Sequence, residues 1–115
     1  MYRLQYADIL EDDQTLSRER ERHALDRSIA LMELAQADAA TATDVANAIA
    51  FTNKLWTVLI EDLADTGNGL PKALRAQIIS IGIWILRGLE DIRNGKAAGF
   101  ADVKAVSQSI RDGLL

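Results

Sequence analysis

The sequence predicts an all-α fold, an antiparallel bundle of about four helices preceded by an amino-terminal arm. Three observations carry that expectation. Apolar residues make up 49% of the 115 residues and aromatics only 5%, with Ala, Leu and Ile dominant, a composition that favours helices over strands. No Gly or Pro interrupts the chain before Gly67, and Pro71 is the only proline. Apolar residues recur at intervals of three and four, the period of a helix with one buried face. A chain of this length suits one domain over residues 1–115, burying about two-thirds of its unfolded surface.

Residues 1–13 read as the arm, with Tyr2, Leu4, Tyr6, Ile9 and Leu10 available to fold back onto the bundle. A first helix is expected over about 15–39, capped by Thr15 or Ser17. Its opening "RERER" is charged, and Leu25, Ile29, Met32 and Gln36, with Ser28 and Ala35 beside them, form its apolar side. "TATD" interrupts the pattern, and Thr43 is the expected cap of a second helix over about 44–64 with Asp44 in its first turn. There Val45, Ile49, Thr52, Trp56, Leu59 and Leu63 form the main stripe, beside a second of Phe51, Leu55, Val58 and Asp62. "ADTGNG" ends this helix in a turn.

Pro71 suits the first position of a third helix over about 71–94, which Gly95 would close. Leu74, Ile78, Ile81, Ile85, Leu89 and Ile92 make a complete core stripe along it. Ile79, Ile83 and Leu86 are left on a second stripe, and Trp84 is displaced from both. After "GKAAG", Phe100, Val103, Val106 and Ile110 predict a shorter helix over about 100–112.

"AQIISIGIWILRG" is the least polar run in the chain. As a helix Ala76 to Leu86 is only ~16 Å long, against ~30 Å for a bilayer core, so it is too short to span a membrane. A helix apolar on more than one face is central in its domain or touches something outside it. The amino terminus reaches acidic residues before any apolar run, so no secretory signal is expected.

Catalytic chemistry finds little to work with. The chain has no cysteine and one histidine, His23; a triad or a two-iron site would need more. His23, with Glu19 and Asp26 near it in sequence, reads as a solvated, ion-paired side chain rather than a metal ligand. "TGNGLPKAL" lacks the G-K-[ST] ending of a phosphate loop, and "DTGNG" lacks the ligands of a calcium loop. No enzyme activity, metal or cofactor is expected. The net charge of −4 and pI near 4.9 weigh against direct contact with nucleic acid, as does the interleaving of Arg and Glu in "RERER". There Arg22 is expected to pair forward with Asp26.

"KLWTVLIEDLA", then "LPKALRAQIISIGIWILRGLEDIRNG", then "SQSIRDGL" closely resemble the FlaF family of alphaproteobacterial flagellar biosynthesis regulators. The likeness covers nearly the whole chain, including the amino-terminal Tyr and acidic stretch and the "RERER…LDRSI" helix. The positions that carry it are Tyr6, Arg18, Glu19, Leu55, Trp56, Leu59, Asp62, Leu63, Leu70, Pro71, Ile81, Trp84 and Arg111.

The resemblance implies a cytoplasmic protein needed for flagellin production and secretion, acting with FlbT, a partner that controls flagellin mRNA. It further implies a flagellin-dedicated chaperone or a translational regulator. As a chaperone the bundle would cover apolar stripes of flagellin's helical terminal segments by helix-in-groove packing. Ile79, Ile83, Trp84 and Leu86 would line that groove, with Trp56 as its floor and the arm, including Tyr2 and Tyr6, covering it until client arrives. As a post-transcriptional regulator, acting through FlbT or through RNA itself, it would use Arg18, Arg22 and Arg27 with Arg75 and Arg87. A third use of the second stripe is a homodimer interface.

Overall fold

In the computed structural model α1 spans Tyr2–Gln36, α2 Ala42–Ala64, α3 Lys72–Arg93 and α4 Ala101–Gly113. The structure describes residues 2–113, with side chains from Arg18 onward. α2 packs against both α1 and α3, α4 packs against α1, and α3 meets α4 over the thinnest seam. The connections over 37–41, 65–71 and 94–100 are short, so successive helices run antiparallel. The longest dimension is 57 Å, and α1 alone is about 52 Å long as a helix.

The segment expected as an arm is helical backbone instead, continuous with α1 from Tyr2. Nothing in it stops a helix: there is no Gly or Pro, and Leu, Gln, Ala and Glu are good helix formers. Neither Thr15 nor Ser17 is therefore a cap. The side chains of Tyr2 and Tyr6 lie outside the described residues, and with them the expected cover of a groove.

The start of α2 also differs from expectation, since its cap is Thr41 and not Thr43. The Asp44 amide donates to Thr41 Oγ1 at 3.1 Å, and the Thr41 amide donates to Asp44 Oδ2 at 2.9 Å. This reciprocal capping box needs an acid three residues after the cap, and Thr43 is followed at that distance by Ala46. At the other end of α3, Gly95 stands at φ 71°. The Gly95 amide donates to Ile92 O at 3.1 Å and the Lys96 amide to Asp91 O at 2.8 Å, the two bonds of a Schellman motif that only a left-handed residue allows without strain.

Leu25, Ile29 and Met32 from α1, Ala48, Trp56, Leu59 and Leu63 from α2, and Ile85 and Leu89 from α3 form the core, closed by Phe100 and Val103. Ser28 and Thr52 lie inside it and satisfy each other, their hydroxyls 2.5 Å apart. Gln36, expected on the apolar side of α1, is exposed. Leu74 departs from its stripe as well: 41% of its surface is exposed.

Candidate functional site

α3 is positioned by two close approaches. A Cβ at Gly82 would lie 2.8 Å from Trp56 Cε3 and 3.0 Å from Ile60 of α2, and one at Gly88 would lie 3.0 Å from Val103 of α4. Gly82 therefore marks the edge of α3 that faces α2, and Gly88 the edge that faces α4. Arg75 pins the start of the helix, its guanidinium donating to Leu63 O at 3.2 Å and to Asp65 O at 3.1 Å. These carbonyls end α2, where a cation is favoured by the helix dipole.

Between those edges lies an outward face that is only partly polar. Ile83 is 41% exposed and Trp84 45% exposed, while Ile79 and Leu86 are half-buried. Ile79, Ile83 and Leu86 share a stripe at helical spacing on the α2 side, since Ile79 and Leu86 flank Gly82 by about one turn in either direction. Ile60, reaching toward Gly82, extends that stripe across the helix boundary.

Trp84 does not join them. Adjacent helical positions point about 100° apart, and Trp84 lies one turn from Ile81 and Gly88, on the α4 side. The expected single groove is thus two apolar strips on opposite edges of one exposed face. Trp56 is no floor for either, being 0% exposed and covered by the backbone of α3 at Gly82. Leu86 divides its surface between the strip and the core cluster, against which it packs.

A second concavity lies at the start of α3. α4 packs chiefly on α1 and meets α3 only along a narrow seam. The uncovered start of α3 leaves a cleft of about 350 Å³ walled by Leu70, Leu74, Ile78 and Ile81, with Ile110 at the end of α4 and Arg18 and Glu21 from α1. Burial raises the Glu21 pKa, and the nearby Asp62 charge raises it further, against the opposing influence of Arg18.

Two of the arginines expected to serve RNA contact are engaged within the bundle. Arg75 caps α2, and Arg27 lies over the Phe51 ring, 5.4 Å from its centroid. Asp26 pairs with Arg111 at 3.2 Å rather than with Arg22, because α4 packs on that side of α1. Among the described residues no three His, Asp or Glu side chains gather where a metal ion would be held, and no helix is long and apolar enough to cross a membrane.

A family model described as "Flagellar protein FlaF" matches residues 2–114. No curated protein and no solved structure matches the chain. Pro71, expected as the first helical residue of α3, stands instead as its N-cap, one residue before Lys72. The match over nearly every residue places this protein in the FlaF family of flagellar proteins.

Proposed function

We propose that this chain is a cytoplasmic, non-catalytic binding protein that holds flagellin as a secretion chaperone and supports flagellin synthesis and export together with FlbT. The observation that supports it is the outward strip of α3: Ile83 is exposed between Ile79 and Leu86 although Ile85 and Leu89 already supply the core contact of that helix. An amphipathic helix from a flagellin terminus would lie along Ile79, Ile83 and Leu86, burying its own apolar stripe there. Trp84, on the other edge of the same exposed face, would add a second contact, since an aromatic that becomes fully desolvated on binding carries much of the energy.

The RNA-binding alternative draws no comparable support, because Arg27 and Arg75 are engaged within the bundle and the net charge is −4. Purified flagellin and FlbT, added separately and together, test the proposal. A stoichiometric flagellin complex is expected, lost in Ile83→Asp while the helical circular dichroism and the melting temperature stay as in the parent chain. An Ile83→Asp protein that still binds flagellin would refute it, as would a salt-sensitive complex with flagellin leader RNA in place of one with flagellin.

A further inference from the structure

We propose that the outward seam between α1 and α2 is a docking surface for an acidic amphipathic helix of a partner protein, whose apolar stripe covers Leu34 and Val58 while its carboxylates meet Arg27 and Lys54. The seam is separate from the Ile79–Ile83–Leu86 strip. Ile60 faces Gly82 of α3, and Val58, two residues earlier, points about 200° away from it around α2.

Register builds the seam. Ser28 of α1 and Thr52 of α2 are hydrogen-bonded in the core, and one residue before each, Arg27 lies over the Phe51 ring, 5.4 Å from its centroid. With residue 28 opposite 52 in antiparallel helices, Val58 stands level with residue 22, so Val58 and Leu34 are about 18 Å apart along the seam, or three turns of helix. Leu34 is 51% exposed and Val58 54% exposed, more than any other large apolar side chain among the described residues. Leu31, Phe51 and Leu55 are half-buried at the levels between them. The five make one apolar line that crosses from α2 to α1, the length of a three-turn helix.

Charge decides what kind of helix fits. On α1 the acids Glu19, Asp26 and Glu33 recur every seven residues and so share a side. That side belongs to α4, because Asp26 pairs with Arg111 at 3.2 Å. Arg20, Arg27 and Leu34 recur at the same interval on the α2 side, as the contact of Arg27 with Phe51 shows. On α2 Lys54 is the sole charged residue from Val45 to Ile60, and it lies between Phe51 and Val58 at helical spacing. Glu61 and Asp62 bound the seam beyond Val58; counted against Arg20, Arg27 and Lys54, they still leave it positive. Among the described residues neither Arg27 nor Lys54 is paired with a carboxylate.

On a chain of net charge −4, a positive, apolar seam selects a partner that is both acidic and apolar. A nucleic acid would meet the cations but leave Leu34 and Val58 in water. An amphipathic helix with carboxylates beside its apolar stripe meets both. Arg27 is preorganised for this pairing, since the ring beneath it holds the guanidinium in place while the side chain stays exposed.

The probe is a fluorophore-labelled, stapled helical peptide of about eleven residues, bearing a leucine stripe flanked by two Glu; a twin has Lys in place of both. Anisotropy titrations with the full chain should show the Glu peptide binding on the order of tenfold more tightly than its twin, a preference that fades at about 1 M salt. Val58→Asp and Leu34→Asp should each abolish binding, and Arg27→Gln with Lys54→Gln should remove the preference for Glu. Leu74→Asp, an equally superficial change at the start of α3, should bind as the parent does. Both seam leucine and valine positions are at the surface, so their variants should keep the parent's circular dichroism and melting temperature.

Equal affinity for the two peptides would overturn the proposal, as would binding of neither, or binding that survives both Val58→Asp and Leu34→Asp. Capture of single-stranded RNA or of phosphatidylglycerol vesicles, lost in the Arg27→Gln, Lys54→Gln double variant while the Glu peptide fails to bind, would overturn it in favour of those ligands. Sedimentation showing a dimer that Val58→Asp dissociates would overturn it in favour of a second copy.

Discussion

Trp56 lies against the backbone of Gly82, so close that a methyl group on Gly82 would stand 2.8 Å from the indole Cε3. The whole indole is thereby buried between α2 and α3, and the outer strip of α3 is held at a fixed height above the core. Gly82→Ala would improve helix propensity by about 1 kcal/mol but must displace a rigid ring, for which overpacking costs about 1–3 kcal/mol. A net loss of stability is expected in urea unfolding. Combining Gly82→Ala with Trp56→Leu should cost less than the sum of the two, because the ring that clashes is gone.

The Ser28–Thr52 hydroxyl pair gives an asymmetric prediction. Ser28→Ala or Thr52→Val alone leaves one buried hydroxyl without its partner, at about 1–3 kcal/mol. The double variant removes both polar groups and should be close to neutral. A double-mutant cycle in urea measures this, and additive losses would mean that the pair is not coupled.

Glu21 should make stability fall as pH rises above the ordinary carboxylate range. Its pKa is raised in the folded chain, by burial first and by Asp62 second. The folded state therefore binds the proton more tightly than the unfolded state. Its stabilising contribution is full below the unfolded value of 4.5 and is lost as pH climbs through the folded value. Glu21→Gln should melt higher than the parent at pH 7 and lose this slope between acid and neutral pH.

Arg75→Met should uncap α2. Removing the guanidinium leaves Leu63 O and Asp65 O without their side-chain donor, and hydrogen bonds to a charged group contribute about 1.5–3 kcal/mol. Both carbonyls end a helix near solvent, so a loss of about 1 kcal/mol is expected. Hydrogen exchange should quicken at the last turn of α2 and the first of α3, with the Ile85 and Leu89 region unchanged.

The all-helical character of this protein was legible because local chemistry decides it. A chain without Gly or Pro before Gly67, rich in Ala and Leu, has few alternatives to a helix, and residues 2–14 follow that rule even though no capping signal was needed to start α1. Core positions such as Leu25, Ile29, Trp56, Ile85 and Leu89 stood out for a similar reason, since a stripe at helical spacing has only one inward side. Gly95 marked the end of α3 through backbone geometry alone, whereas Pro71 fell one residue short of the first helical position expected for it.

What the sequence could not decide were the relations between helices. Periodicity assigns Ile83 and Trp84 to outward positions but does not say which neighbour flanks each, and the two fall to opposite edges of α3 because α2 meets it at Gly82 and α4 at Gly88. Arg75 read as a free cation until the turn over 65–71 brought it onto the end of α2. Leu74 read as core, yet the packing of the bundle leaves it exposed. Each depends on where a second helix lies, which is set by close packing over the whole bundle and not by residues adjacent in the chain.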